Sequence, residues 1–224
     1  MPLTLYSHPL ASYCHKVLLA LYENATPFTA HLVNLGDPVE SAKFHALSPL
    51  GKMPVLCDDT TTIAESSIII EYLDQHHFPT KMLPPDAAQN LQTRLWDRFF
   101  DLHIHEHLQK IVGDRLRPEG SKDPFGVTNA HQHLQTAYKM LDHLMATRAW
   151  PAADRFTLAD CAATPALFYA GIVSPFPPEH PNLAAYFERL LARPAAQRVL
   201  TEAQPWFQYF PYVADMPARF REPA

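Results

Sequence analysis

The stretch LTLYSHPLASYCHKVLLALYE, residues 3–23, decides the fold of this chain. It begins with a short apolar strand pattern at Leu3 and Leu5, passes through Pro9, and enters an amphipathic helix at about Ser12. A strand that leads directly into a helix N-terminus directs free backbone N–H groups, and the positive end of the helix dipole, toward one point. That point favours an anion, so the sequence predicts a site for a thiolate, a phosphate or a carboxylate.

Length, charge and cysteine content limit the class of protein. The 224 residues are 47% hydrophobic, which is enough for one large or two modest cores, and the net charge of -5 gives no basic surface for nucleic acid. No apolar run has the length of a membrane span, and the first residues do not resemble a secretory signal. Three widely spaced cysteines, without a CxxC pair, favour a reducing compartment. We therefore expect a cytoplasmic protein without a nucleic-acid or membrane partner.

The first 78 residues alternate strand-like and helical patterns, which predicts a small α/β domain with a βαβα order and a β-hairpin. The predicted strands are Leu3–Tyr6, Phe28–Val33, Pro54–Cys57 and Thr61–Ile63. The predicted helices run from about Ser12 to Glu23, from Val39 to Ala46 and from Glu65 to His76.

Residues 79–86 are predicted to be a linker, because Pro79, Pro84 and Pro85 cannot continue a helix. Residues 87–224 have helical spacing almost throughout, which predicts an all-α domain. Its predicted helices are Ala87–Leu116, Val127–Ala146, Thr157–Tyr169 and Leu183–Arg193. The aromatic, proline-rich tail from Pro205 is expected to pack across a surface.

Four motifs together resemble the cytosolic glutathione transferases. They are YSHPLASYCHKVLLAL at 6–21, GKMPVL at 51–56, AESSIIIEYLD at 64–74 and RFTLADCAATPAL at 155–167. The resemblance implies a thioredoxin-like glutathione-binding domain followed by an all-α domain that shapes the second-substrate site. It further implies a homodimer that uses glutathione as co-substrate and transfers it to a hydrophobic electrophile.

The resemblance also assigns glutathione-binding residues. It implies that the Met53–Pro54 peptide bond is cis, and that the Met53 backbone pairs with the cysteinyl part of glutathione like a β-strand. Glu65 suits the γ-glutamyl ammonium, and Ser66, where a helix begins, suits the γ-glutamyl carboxylate. Lys52 could reach the glycyl carboxylate.

The catalytic position departs from the family pattern. Ala11 stands where the family usually carries a catalytic serine or cysteine, and the hydroxyl is found one residue later, at Ser12. We assign Ser12 to catalysis and to glutathione binding, with helix capping as its alternative role. Tyr6 and Cys14 are the other catalytic candidates, although a strand tyrosine and a cysteine in this helix are more often packing residues.

The expected mechanism is stabilisation of a thiolate. The glutathione thiol has a pKa of roughly 8.5, and lowering it by about two units needs under about 3 kcal/mol, which a hydroxyl and a helix N-terminus can supply. Two alternatives remain open: a glutathione- or ligand-binding protein without turnover, which Ala11 favours, and a glutathione-dependent thiol reductase that uses Cys14.

Helical spacing places Trp96, Phe100, His103 and His107 on one stripe, which together with Leu10 is the predicted electrophile pocket. His103 and His107 have the spacing of a two-histidine metal site, but a third ligand with recognisable spacing is missing, so we expect no metal. In RFTLADCAATPAL, Thr157 and Asp160 form a capping-box pattern that we interpret as a folding element.

Overall fold

The computed structural model describes residues 3–221, and its N-terminal part is built on a four-stranded sheet. The strands are β1 (Leu3–Ser7), β2 (Phe28–Leu32), β3 (Val55–Asp58) and β4 (Thr61–Ala64), in the order β2-β1-β3-β4. β1 is parallel to β2 and antiparallel to β3, and β3 forms an antiparallel hairpin with β4. The predicted strands and hairpin are therefore confirmed to within one residue at each end.

Three helices complete the thioredoxin-like part: α1 (Ser12–Glu23), α2 (Pro38–Leu47) and α3 (Ser66–His76). Leu3 and Leu5 of the sheet share one apolar core with α1 and α3. Side chains alternate along a strand, so Tyr6 lies on the opposite face of β1, against Phe44 of α2. The fold class predicted from the resemblance is confirmed.

The described chain from Ala87 to Arg221 is mainly helical. Its elements are α4 (Ala87–Phe99), a π-helical turn (Phe100–His105), α5 (Glu106–Leu116), α6 (Pro124–Met145), α7 (Leu158–Val173), α8 (Pro181–Leu191), α9 (Pro194–Ala203) and α10 (Ala218–Arg221). The predicted helix Ala87–Leu116 is thus interrupted by the π-turn. Helix α9 was not predicted from the sequence. Its first residue is Pro194, and at a first helical position the missing N–H of proline costs no helical hydrogen bond.

Helix α7 is the centre of the same apolar core, which continues from the sheet into the helical part, since nearly all of its residues are buried and it packs against both α1 and α4. The tail behaves as predicted, because Phe207 and Phe210 are buried against α7. Their rings lie 5.7 Å from Phe168 and 5.1 Å from Tyr169, respectively, measured between centroids.

Within residues 3–221, no helix is both long and apolar enough to cross a lipid bilayer.

The predicted capping box is present at the start of α7. The Asp160 carboxylate accepts hydrogen bonds from the Thr157 N–H at 2.9 Å, the Thr157 hydroxyl at 3.0 Å and the Tyr186 hydroxyl at 2.7 Å. Burial raises the pKa of Asp160 to about 6, while these three donors act in the opposite direction. The carboxylate therefore ties the start of α7 to α8 inside the core.

Replacing Asp160 with alanine should destabilise the fold by on the order of 3–5 kcal/mol, because three buried donors lose their acceptor. Urea unfolding followed by circular dichroism measures this change. Asp86→Ala is the matched control, since the Asp86 carboxylate caps the exposed start of α4 with a single hydrogen bond to Gln89 N–H and should cost about 1 kcal/mol. Equal losses in the two variants would contradict the assignment of Asp160 as the folding element.

Candidate functional site

The N-terminus of α1 is open to an anion. Its N-cap is Ala11, which has no side chain to cap the first turn, whereas α2, α4 and α6 each begin with a capping aspartate. The Ala11 carbonyl accepts from Cys14 and His15 N–H, while the N–H groups of Ser12 and Tyr13 have no acceptor among residues 3–221. The predicted convergence of free donors with the helix dipole is therefore present.

Ser12 is the first residue of α1, and its hydroxyl is not used as a cap. The side chain is 5% exposed, and its Oγ lies 2.6 Å from Nε2 of His105. The His105 ring also stacks on Tyr13, with centroids 4.0 Å apart. Burial lowers the pKa of His105 to about 3, so this imidazole is neutral at pH 7. The first turn of α1 thus carries a serine hydroxyl paired with a neutral histidine.

Sequence reasoning missed His105 because its partner is 93 residues away and a π-turn sets its direction. A π-helix bonds residues i and i+5, so side chains after Phe100 are rotated away from the positions that a period of 3.6 predicts. The sequence offers one local signal, the spacing of four residues between Asp101 and His105. This spacing becomes informative only once Asp101 is known to contact Lys16 of α1.

The predicted common stripe for the electrophile pocket is wrong for the same reason. Phe100 is fully buried, His103 is exposed, and His107 stacks on His133 of α6 with ring centroids 4.5 Å apart. Trp96 packs on Phe99 and Phe100. Leu10 lies half-buried in the turn before α1. A contact of any of these five side chains with an electrophile stays a prediction.

The two alternative catalytic residues have packing roles. Tyr6 contacts His31 at a centroid distance of 4.6 Å and belongs to the small apolar cluster beneath α2. Cys14 is fully buried, and burial raises the pKa of its thiol to about 12. A thiol held protonated and out of solvent is a poor nucleophile.

The Met53–Pro54 peptide bond is cis, as the resemblance implied. Met53 is half-buried directly before β3 and lies outside the paired registers of the sheet. Lys52 is exposed, and its carbonyl accepts a hydrogen bond of 2.8 Å from the Ser48 hydroxyl. The ammonium of Lys52 is therefore on the surface of the same loop as the Met53 backbone.

The start of α3 repeats the arrangement at α1. Glu65 is its N-cap and has φ +67° and ψ 118°, a backbone conformation that residues other than glycine rarely adopt. Its carboxylate makes no cap hydrogen bond, and Ser66, the first residue of α3, is 7% exposed. A costly backbone conformation beside an uncapped helix N-terminus is typical of a ligand site.

A buried ionic network lies beneath these two helix starts. Lys16 of α1 is 1% exposed, and its Nζ lies 2.6 Å from Asp97 Oδ1, 2.8 Å from Asp101 Oδ2 and 2.9 Å from Ser67 Oγ. Ser67 in turn donates to Asp97 at 2.8 Å. Burial raises the pKa of Asp101, and Lys16 opposes this increase. One lysine therefore joins α1, α3 and the α4 region.

The network places the candidate residues relative to one another. Ser12 precedes Lys16 by one helical turn, Ser66 adjoins Ser67, and His105 follows Asp101 by four residues.

In the described part of the chain, no group of three or more His, Cys, Asp or Glu side chains is arranged to hold a metal ion.

Comparisons with known proteins agree with this geometry. Residues 5–81 match the N-terminal domain model of glutathione S-transferases, and residues 111–194 match the C-terminal domain model. The chain is similar to glutathione S-transferase F13 of Arabidopsis thaliana, with 26% identity over 89% of this chain and 95% of that protein. It is also similar to a stringent starvation protein A homolog of Coxiella burnetii, with 27% identity over 90% and 93%.

A solved structure is similar over the same length. It is a glutathione S-transferase from Methylobacillus flagellatus with glutathione bound, at 26% identity and a TM-score of 0.79, covering 88% of this chain and 98% of that one. The relatives thus include proteins named as transferases and proteins named for other roles, so family membership alone does not establish turnover.

Replacing Lys16 with methionine should cost about 3–5 kcal/mol of unfolding free energy, because two buried carboxylates lose their counter-charge. Burial already raises the pKa of Asp101, and without the lysine that opposes this increase the folded pKa rises further above the unfolded value, so the variant binds an extra proton when folded. Its deficit relative to the wild type should therefore shrink as the pH falls from 7 to 5. Urea unfolding at several pH values measures this.

Lys43→Met is the control, because Lys43 forms an exposed ion pair with Glu40 and its loss should change stability little at any pH. A Lys16→Met deficit that does not depend on pH would show that the lysine contributes packing rather than charge.

Proposed function

The chain belongs to the glutathione S-transferase family, and from this premise we propose that it binds glutathione and activates its thiol at the N-terminus of α1. The thiolate then attacks an electrophilic carbon of an apolar small molecule, forming a C–S bond while the leaving group departs with its electron pair. The observation that carries this proposal is the Ser12–His105 pair at an uncapped helix start.

Glutathione would lie across the two open helix starts. Its cysteinyl backbone pairs with Met53 like an added strand, and its γ-glutamyl carboxylate accepts from Ser66 and the first N–H groups of α3. Glu65 takes the γ-glutamyl ammonium, and Lys52 reaches the glycyl carboxylate. This pose directs the cysteinyl sulfur toward Ser12.

His105 decides whether the Ser12 hydroxyl can act on the sulfur. If Nε2–H donates to Ser12 Oγ, the hydroxyl hydrogen is free to donate to the thiolate. If Nε2 instead accepts from the hydroxyl, no hydrogen remains for the sulfur. The Gln109 side-chain amide lies 3.4 Å from the same Nε2, and in the first arrangement its oxygen rather than its NH₂ group faces this ring nitrogen. We propose the first arrangement, in which neutral His105 holds Ser12 as a donor and the free N–H groups of Ser12 and Tyr13 add to the stabilisation.

Ser12→Ala should raise the pKa of the bound glutathione thiol by about one to two units, since the hydroxyl donor to the thiolate is lost. His105→Ala should raise it too, and the double variant should be little worse than either single one, because both act through one hydrogen. The thiolate absorbance near 240 nm, measured against pH with saturating glutathione, gives this pKa directly.

Cys14→Ala is the control and should leave both the thiolate absorbance and transferase turnover unchanged. Loss of activity in Cys14→Ala would favour the thiol reductase. Saturable glutathione binding without any thiolate absorbance would instead identify a carrier, and would make Ala11 the decisive departure from the family. Full turnover in Ser12→Ala would remove Ser12 from the mechanism.

We further propose a homodimer through the outer face of α3 and α4. Ile68, Leu91, Leu95 and Leu102 are exposed there by 51%, 67%, 53% and 39%. The Arg94–Glu71 ion pair holds the two helices together, with the shorter of its two hydrogen bonds at 2.7 Å. Several exposed aliphatic side chains on neighbouring helices favour a protein–protein interface.

Leu91→Glu combined with Leu95→Glu should convert the protein to monomers, because four carboxylates would then lie at the two-fold contact. Light scattering during size-exclusion chromatography measures the mass. Met140→Glu on α6, 51% exposed, is the control and should keep the dimer. A wild-type mass of one chain would reject this interface.

A cytoplasmic location also belongs to this proposal. Cys14, Cys57 and Cys161 are all free thiols, and two of them are buried. A chain without disulfides is suited to a reducing compartment, where glutathione is also kept as the thiol.

A further inference from the structure

A cavity lies between α7, α8 and the C-terminal segment. It has a volume of about 190 Å³. Its lining is mostly aromatic and apolar and consists of Phe168, Gly171, Ile172, Phe176, Ala184, Phe187, Glu188, Pro217, Arg219 and Phe220. None of these residues belongs to the Ser12 site.

The aromatic walls are fixed by ring contacts. Phe168 meets Phe220 edge to face at 5.0 Å, and Phe176 meets Phe187 edge to face at 5.4 Å, measured between ring centroids. A Cβ on Gly171 would come within 3.2 Å of the Phe176 ring, so glycine lets this ring approach α7 closely. Walls that support each other keep the space open instead of collapsing into it.

The C-terminal segment forms one side of this space. Arg219 donates two hydrogen bonds to the Glu188 carboxylate of α8, at 3.0 Å and 2.6 Å, while Phe220 lies against Phe168. Both ionic side chains are about half exposed, at 52% and 54%, so opening this pair costs little. The ion pair therefore offers little resistance to a ligand that enters at this rim.

We propose that this cavity binds a small neutral aromatic molecule with a single ring. An apolar cavity of roughly 150 Å³ is enough to hold benzene in another protein, and this one is of similar size. The rim charges Arg219 and Glu188 already pair with each other, so a charged ligand would lose its hydration among apolar side chains without gaining a counter-ion. Size and charge thus both select a neutral ring.

Toluene is the probe for this site, with benzoate and benzylammonium as charged probes of the same size. Saturation-transfer NMR should show saturable toluene binding at least tenfold tighter than that of either ion, and toluene should raise the melting temperature. Ala184→Leu, which places a larger side chain in the lining, should weaken toluene binding at least tenfold. Ala185→Leu, the exposed neighbour outside the lining, should not.

Phe220→Ala is a second variant near the chain end; it removes one wall and should likewise weaken toluene binding. Saturating glutathione should leave toluene binding unchanged. Absence of toluene binding, or binding that survives in both Ala184→Leu and Phe220→Ala, would overturn the proposal. Displacement of toluene by an S-alkyl glutathione would also overturn it and would place the molecule at the Ser12 site. The result does not depend on transferase turnover.

Discussion

A buried lysine shared by two aspartates holds the two parts of this molecule together. Lys16 lies inside the contact between α1 and the α4 region, at 1% exposure, and binds Asp97, Asp101 and Ser67. Removing such charges from water costs several kcal/mol each, and the cost is offset only when the geometry is good. The segments that carry Lys16, Ser67 and the two aspartates must therefore pack in one relative position. This position also sets where the neighbouring residues of each segment lie.

The candidate site is attached to these three helices. Ser12, Ser66 and His105 come from three separate segments, yet each lies within four residues of a member of the Lys16 network. The helix starts at α1 and α3 both lack a side-chain cap, and each adjoins a member of this network. Stabilising a thiolate requires donors that are already in place, because reorganising them would cost the energy that they supply. The ionic network accounts for this preorganisation.

The shift of the hydroxyl from position 11 to position 12 has a structural explanation. Position 11 is the N-cap of α1. A serine there would accept a hydrogen bond from a backbone N–H of the first turn, whereas alanine leaves those N–H groups free. Ser12 is inside the helix, where its Oγ lies 2.6 Å from Nε2 of the neutral His105 ring. The alanine at position 11 is therefore accompanied by a serine–histidine pair that begins one residue later.

The sequence by itself determined the strands, most of the helices, the two-part architecture and the family. These follow from local patterns: strand alternation, helical spacing, proline positions, and motifs such as GKMPVL and the Thr157–Asp160 capping box. Only the tertiary structure showed that His105 pairs with Ser12, that Lys16 is buried between the two parts, and that Tyr6 faces α2. The π-turn at Phe100–His105 changed which histidine points toward α1. A local period fixes which element forms, whereas the partner of a side chain depends on how distant elements are placed, and one extra residue in a helical turn is enough to change it.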